Sequence, residues 1–318
     1  MKKGILVLMS VLLLFGLLVV GCAPAAQEEE VVEEDVFTIG INNYGQANFF
    51  ARIGRDAMIE QIEKHGGVVI STVTADEASR LAAIETMIQQ GVDAIILQEG
   101  DLNLVAPALI EAKNKGIIIG SVDAGDADFV DVRASSDNVL LGKASAEEMV
   151  RLIGGKGNIV EIYHEGGQMI RERRAGMHEV IAGYPDIKIV AGFTYAWPDF
   201  FPDGKAKMEA ILQANPNPGD IAAVFATFDG VGVAAAAAIR EFGLQDHIVV
   251  VGIDGDPEAY EEMLIPGSPF KATMAQDPDT IARIVVDNVF ELLRGNTIPN
   301  NRILVPGFKV TKDNIPAQ

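Results

Sequence analysis

Residues 37–72, FTIGINNYGQANFFARIGRDAMIEQIEKHGGVVIST, read as strand, helix, strand. Phe37–Ile41 and Val68–Thr72 are short β-branched or apolar runs. Between them Phe49, Phe50, Ile53, Ala57, Met58 and Ile62 recur at spacings that place them on one face of a helix. A helix of that length between two such strands defines a right-handed βαβ unit and a parallel sheet.

Outward from this unit the alternation continues. Asp93–Leu97 and Gly116–Val122 supply two more strands, and Leu81, Ile84 and Ile88 mark the apolar face of another helix. The pattern pauses at Val130–Asn138 and then starts again. Strands are expected at Asn158–Tyr163, Ile187–Phe193, Ile221–Thr227, His247–Ile253 and Phe270–Ala275. The helix over Gly232–Phe242 carries five consecutive alanines, Ala234–Ala238, small enough to let it lie close on a sheet. A last helix, Pro278–Leu293, precedes a short strand near Ile303–Val305. Two consecutive α/β sets imply two similar lobes. Their join at Ser135–Asn138 is short and polar, without a Gly/Ser-rich linker. One crossing would leave the lobes loosely attached, whereas several would make a hinge with one defined opening motion.

The chain opens with Lys2 and Lys3, followed by an uncharged run from Gly4 to Gly21. Val19-Val20-Gly21-Cys22 places small residues before the only cysteine, and Ala-Pro-Ala-Ala follows. This resembles the lipobox of bacterial lipoproteins, in which the cysteine is lipidated and becomes the new N-terminus. An uncleaved anchor helix is the alternative, since the run approaches the ~20 residues a bilayer requires. Either reading places the remainder outside the cytoplasmic membrane, in the periplasm or on the cell surface. Residues 1–22 are therefore expected to be a signal peptide ending at the lipidation site Cys22. Residues 23–36, with the carboxylate-rich Gln27–Asp35, are expected to be a solvated tether.

With Cys22 lipidated, no thiol remains for disulfides or a cysteine zinc site. The 25 Lys and Arg against 45 Asp and Glu give a net charge of −20. Such a surface repels phosphate backbones, so no nucleic-acid partner is expected.

In open parallel sheets ligands bind beyond the carboxyl ends of the strands. The residues following each expected strand are thus the candidates. They include Asn48, Phe49 and Phe50 after the first, and Asp123 after the fourth. Arg171, Trp197, Phe228, Asp229, Asp254 and Gln276 follow the later strands. Carboxylates, amides and a guanidinium can share the hydrogen bonds of hydroxyl groups, and aromatic rings can cover the C–H faces of a sugar. The set suits a small neutral polyhydroxylated ligand better than an anionic one. Asp229, before Gly-Val-Gly, also fits a helix N-cap, and Phe49 and Phe50 also fit a core.

Catalytic signatures are absent: no GxSxG, no HExxH and no Gly-Lys-Ser/Thr phosphate loop. His65, His164, His178 and His247 lack metal-ligand spacing. Asp123, Asp126 and Asp128 fall short of a calcium ligand set. No enzyme activity, metal or cofactor is expected.

Seven motifs in order carry a family resemblance: Ala-Asn-Phe-Phe (47–50), Ser-Val-Asp (121–123), Ser-Asp-Asn-Val-Leu-Leu-Gly (136–142), Arg-Glu-Arg-Arg-Ala-Gly (171–176), Val-Phe-Ala-x-x-Asp (224–229), Val-Val-Gly-Ile-Asp-Gly (250–255) and Ala-Thr-Met-Ala-Gln-x-Pro (272–278). From about Phe37 to Pro306 the chain resembles the ribose-binding-protein type of periplasmic sugar-binding protein. That resemblance implies the type I periplasmic binding fold, two doubly wound α/β lobes joined by three crossovers. It sets the first lobe at 37–136 plus 277–302 and the second at 137–276 plus 303–318, with later crossovers near Gln276 and Ile303.

The resemblance further implies that Phe49 and Phe50 stack on one sugar face, opposed by Trp197 or Phe200. Asp123, Arg171, Asp254 and Gln276 would bind the hydroxyls. Two departures stand out: Ala124 where the family usually has Arg, and Phe228 where it usually has Asn. This apolar pair implies a ligand with an apolar edge, a deoxy-sugar or a polyol bound differently. The implied role is that of a monomeric solute receptor for an ABC permease with a cytoplasmic ATPase, held to the membrane by its lipid. A sensor presenting its closed form to a chemoreceptor or kinase is the alternative.

Overall fold

The computed structural model describes residues 36–45 and 48–316. The expected signal peptide, Cys22 and all of the tether but Val36 lie outside the described residues. In chain order the first elements are β1 (Thr38–Tyr44), α1 (Phe49–Lys64), β2 (Val68–Thr74), α2 (Glu77–Gln90), β3 (Ala94–Gln98), α3 (Ala106–Asn114), β4 (Ile118–Val122) and β5 (Val132–Ser136). The second set runs α4 (Asn138–Ile153), β6 (Gly157–Tyr163), α5 (Gln168–Ile181), β7 (Ile187–Thr194), α6 (Phe200–Ala214), β8 (Ala223–Ala226), α7 (Asp229–Glu241), β9 (Val249–Asp254), α8 (Pro257–Leu264) and β10 (Phe270–Ala275). Last come α9 (Pro278–Leu293), β11 (Arg302–Val305) and β12 (Phe308–Thr311).

The strands form two sheets, ordered β11-β5-β4-β3-β1-β2 and β12-β10-β9-β8-β6-β7. All pairings are parallel except β10 with β12. Each sheet is covered on both faces. In the first, α1 and α9 close one face through Met58, Ile62, Val285 and Phe290, while α2 and α3 close the other through Ile84, Met87 and Leu109. In the second, α6, α7 and α8 cover one face and α4 with α5 the other. Helix α9 shows why: Ile281, Val285, Val286, Val289 and Phe290 fall on one stripe and are wholly buried. Each contributes about 1.5–3 kcal/mol of burial. The alanine run behaves as expected, with Ala234, Ala235, Ala236 and Ala238 fully buried in α7.

Two strands were not legible as such. Val130–Asn138 reads as a pause, yet it contains β5, wedged between β4 and β11. Its Ser135 and Ser136 are fully buried, so polarity concealed a central strand. β12 has no counterpart in the sequence reading. Leu304 of β11 faces Ser135 of β5, so residues 303–305 belong to the first sheet. The chain passes to the second sheet only at Pro306–Gly307. A Cβ on Gly307 would come within 2.7 Å of the Ala275 carbonyl oxygen, so a glycine is required where the strands cross so closely.

Candidate functional site

The carboxyl ends of both sheets face one another across a cavity of about 320 Å³, within the range of small-ligand sites. The first sheet supplies Tyr44 and Asn48 after β1, Glu99 and Asp101 after β3, and Asp123 after β4. The second supplies His164 and Arg173 after β6, Tyr195 and Trp197 after β7, Phe228 after β8, and Asp254 at the end of β9. Glu99, Asp123 and Asp254 all have positive φ, at 56°, 49° and 134°. Such strained backbone in non-glycine residues turns each chain sharply out of its sheet.

Arg173 is the centre of the polar floor. Only 2 % exposed, it pairs with Asp254 at 2.9 Å and donates to Asn138 Oδ1 and the Thr227 carbonyl oxygen, each at 2.9 Å. Asn138 in turn donates to Asp123 Oδ1 at 3.1 Å, and Gln276 donates to Asp254 Oδ1 at 2.7 Å. Burial opposes the charge on Arg173, but Asp254 and Asp123 more than restore it, so its pKa is raised. Burial pushes up the Asp254 and Asp123 carboxyls against the pull of Arg173. Glu99 rises to about 8: burial dominates and the neighbouring charges of Asp123 and Asp254 add to the rise, against the opposing hydrogen bond that Asn48 donates to Oε1 at 3.1 Å.

The same lobe as Arg173 carries an aromatic wall. Trp197 stacks on Phe200 at 5.6 Å between centroids, and Phe228 meets Phe200 edge-on at 4.9 Å. Tyr195 lies 5.1 Å from Phe228. The Trp197 indole reaches the other lobe, where a Cβ on Gly45 would come within 3.0 Å of it. At the mouth Arg171 Nη2 bonds Asp101 Oδ2 at 3.0 Å, and Gln168 Oε1 accepts from the Asp126 backbone at 3.0 Å. These contacts bridge the two lobes.

Of the residues expected from the sequence, Asn48, Phe50, Asp123, Trp197, Phe228 and Asp254 line the cavity. Phe49, Arg171, Asp229 and Gln276 do not. Phe49 opens α1 beside the cavity, with Phe50 inside it. Arg171 is half-exposed at the mouth. Asp229 does not cap α7 through its side chain. Instead its Oδ2 accepts from the Gly255 and Asp256 amides and the Thr273 hydroxyl at 2.8–3.0 Å, fixing the loop that carries Asp254. Gln276 orients Asp254 from behind. Of the two apolar replacements, Phe228 lines the cavity as part of the aromatic wall, whereas Ala124 is buried in the first lobe's core with Leu102 and Val130.

The sequence reading does not single out Arg173, Glu99 or Tyr195. For Arg173 the signal was present: Met169, Arg173, Gly176 and Met177 share the buried stripe of α5. Arg171, two residues earlier, points elsewhere at 100° per residue.

A family model described as a periplasmic binding protein domain matches residues 39–297. The chain belongs to the periplasmic binding protein family. The ribose import binding protein of Bacillus subtilis is 28% identical over 304 residues, covering 94% of this chain and 95% of that protein. The D-apiose import binding protein of Actinobacillus succinogenes is 32% identical over 72% of this chain and 73% of its own length. A solved ABC transporter solute-binding protein from Agrobacterium vitis, with bound allitol, superposes with a TM-score of 0.84 at 30% identity, covering 88% of this chain and 96% of that one. The periplasmic binding protein described here thus has the two-lobed type I fold. These relatives are binding proteins rather than enzymes, and this chain is one too.

Proposed function

We propose that this periplasmic binding protein captures a monosaccharide or polyol between its lobes and hands it to an ABC permease driven by a cytoplasmic ATPase. One observation carries the reading: one cavity between the lobes brings the acceptors Glu99, Asp101 and Asp123 of the first together with the Arg173–Asp254 pair and the aromatic wall of the second. Arg173, Asp254, Asp123 and Asn48 bind hydroxyls in this reading, while Trp197, Phe228 and Phe50 cover C–H faces. Relatives named for ribose and D-apiose, and the allitol bound to a solved relative, support the ligand class. Binding then needs no bond chemistry. A ligand that gains contacts from the second lobe only on closure shifts the open–closed equilibrium by that difference. The protein works outside the cytoplasmic membrane, tethered by a lipid on Cys22. In that reading Cys22→Ser moves it from the membrane fraction to the soluble one.

The test is a thermal-shift screen of the chain from residue 23 onward against pentoses, hexoses, deoxy-sugars and alditols. A ligand at 100 times its Kd stabilises by about 2.7 kcal/mol, a shift of several degrees. Folded protein that responds to none of these would overturn the proposal.

A further inference from the structure

The charges around the cavity do not balance. Three of its carboxylates have a cationic partner: Asp101 with Arg171, Glu165 with Arg174 and Asp254 with Arg173, at 3.0, 3.2 and 2.9 Å. Glu77, Glu99 and Asp123 have none at ion-pair distance among the described residues. Arg80, wholly buried beside Gly100 and itself without a hydrogen-bond partner, offsets Glu77 first and Glu99 more weakly. Glu99 and Asp123 each receive one neutral amide donor, from Asn48 and Asn138 respectively. Glu99 Oε2 is buried without any partner. Arg173, the only guanidinium on the lining among the described residues, is already engaged by Asp254, Asn138 and Thr227.

We propose that the ligand carries a protonated amine on its polyhydroxylated frame, seated against Glu99 and Asp123 and faced by the aromatic wall. This rests on reading the cleft as a sugar or polyol site, and it replaces the neutral ligand suggested by residue types alone. Uncompensated buried carboxylates are costly. A hydroxyl can hydrogen-bond them but returns no charge, whereas an ammonium brings three donors and a positive charge together. Tyr44, Tyr195, Trp197 and Phe228 line the same space, and their π faces attract cations as well as C–H groups. Burial first, and then the charges of Asp123 and Asp254, raise the pKa of Glu99.

The experiment is calorimetric titration at pH 6 and pH 8 with matched probes: glucitol and glucamine, galactitol and its 1-amino-1-deoxy analogue, and glucose, glucosamine and N-acetylglucosamine. Alkylamines of this kind resemble lysine, with a pKa of roughly 10, so the aminoalditols stay charged throughout. In at least one pair the amine should bind tenfold or more tighter than its hydroxyl counterpart at pH 8, with the preference shrinking at pH 6 as Glu99 takes up a proton. Glu99→Gln should reduce that preference to threefold or less, and Asp123→Asn provides the same reading should the first variant fold poorly. Tight binding of a neutral member, with its amine no tighter and affinity falling from pH 6 to pH 8, overturns the inference and leaves the sugar reading intact. Failure of every probe, charged or neutral, to bind folded protein overturns both.

Discussion

The two lobes share a fold but bring different chemistry to the cleft. From the first come acceptors: Glu99, Asp101 and Asp123, set on sharply turned strand ends. From the second come the buried guanidinium of Arg173 and the cluster of Tyr195, Trp197, Phe200 and Phe228. Neither half makes a site alone. The first lobe is an acidic shelf flanked by Tyr44, Phe50 and Leu104, and the second is an aromatic wall whose cation is neutralised by its own Asp254. This division gives closure a chemical meaning, since only the joined lobes can satisfy both the polar and the C–H surfaces of one small molecule.

The largest effect should come from removing the ion that ties the floor together. Arg173→Ala leaves Asp254 buried without its cation and frees Asn138 from its acceptor role. Breaking a buried pair from one side costs about 3–5 kcal/mol. Unfolding by heat or denaturant should show that loss, and calorimetry should show ligand affinity falling by a hundredfold or more. Trp197→Ala attacks the aromatic wall of the same lobe. It removes a partly exposed ring worth about 1.5–3 kcal/mol of apolar contact with ligand. We expect affinity to fall ten- to a hundredfold while the unliganded protein melts within a few degrees of the parent. Equal destabilisation by both variants would erase the distinction between floor and wall.

The same contrast explains what the sequence disclosed. The sheets were legible because each strand and helix obeys one period, as in Phe37–Thr72 and Pro278–Leu293. The strand ends were legible as a site because their residues are polar where the strands are apolar. β5 was not, since Ser135 and Ser136 look like loop but are held between two neighbouring strands. Glu99 was hidden for a different reason. It follows Gln98 in a stretch, Gln98–Asp101, that reads as ordinary surface polarity, and only the approach of the second lobe encloses it. Family likeness pointed to the first arginine of Arg-Glu-Arg-Arg, whereas the helical stripe through Met169 and Met177 selects the third position of that motif.

A smaller effect separates the acceptors from one another through pH. In the folded protein Glu99 loses its proton near pH 8, whereas in the unfolded chain it does so near the ordinary 4.5. Below the lower value the carboxyl is neutral in both states and costs nothing. As pH rises through the window the unfolded chain ionises first, so the folded state is progressively disfavoured, fully so above pH 8. Glu99→Gln should therefore leave the melting temperature unchanged at pH 4 and raise it at pH 9. A rise of roughly 2–4 °C would correspond to about 1 kcal/mol in a chain of this size. A pH-independent difference would mean that the variant acts through packing instead.

The smallest effect belongs to the residue at the mouth. Arg171 and Asp101 meet at 3.0 Å with the guanidinium 41 % exposed, so solvent and salt weaken the pair to about 0.2–1 kcal/mol. It joins the lobes without lining the cavity through its arginine. Its loss should therefore shift the closed state rather than any ligand contact. Arg171→Ala should weaken binding of the tightest ligand two- to fivefold, mostly through faster release, and leave the ranking of ligands untouched. Raising salt from 0.15 M to 1 M shortens the screening length from about 8 Å to 3 Å and should erase most of the difference between variant and parent. A change in ligand ranking would instead bring Arg171 into contact with the ligand, and the acidic shelf would then face a second cation at the rim of the cleft.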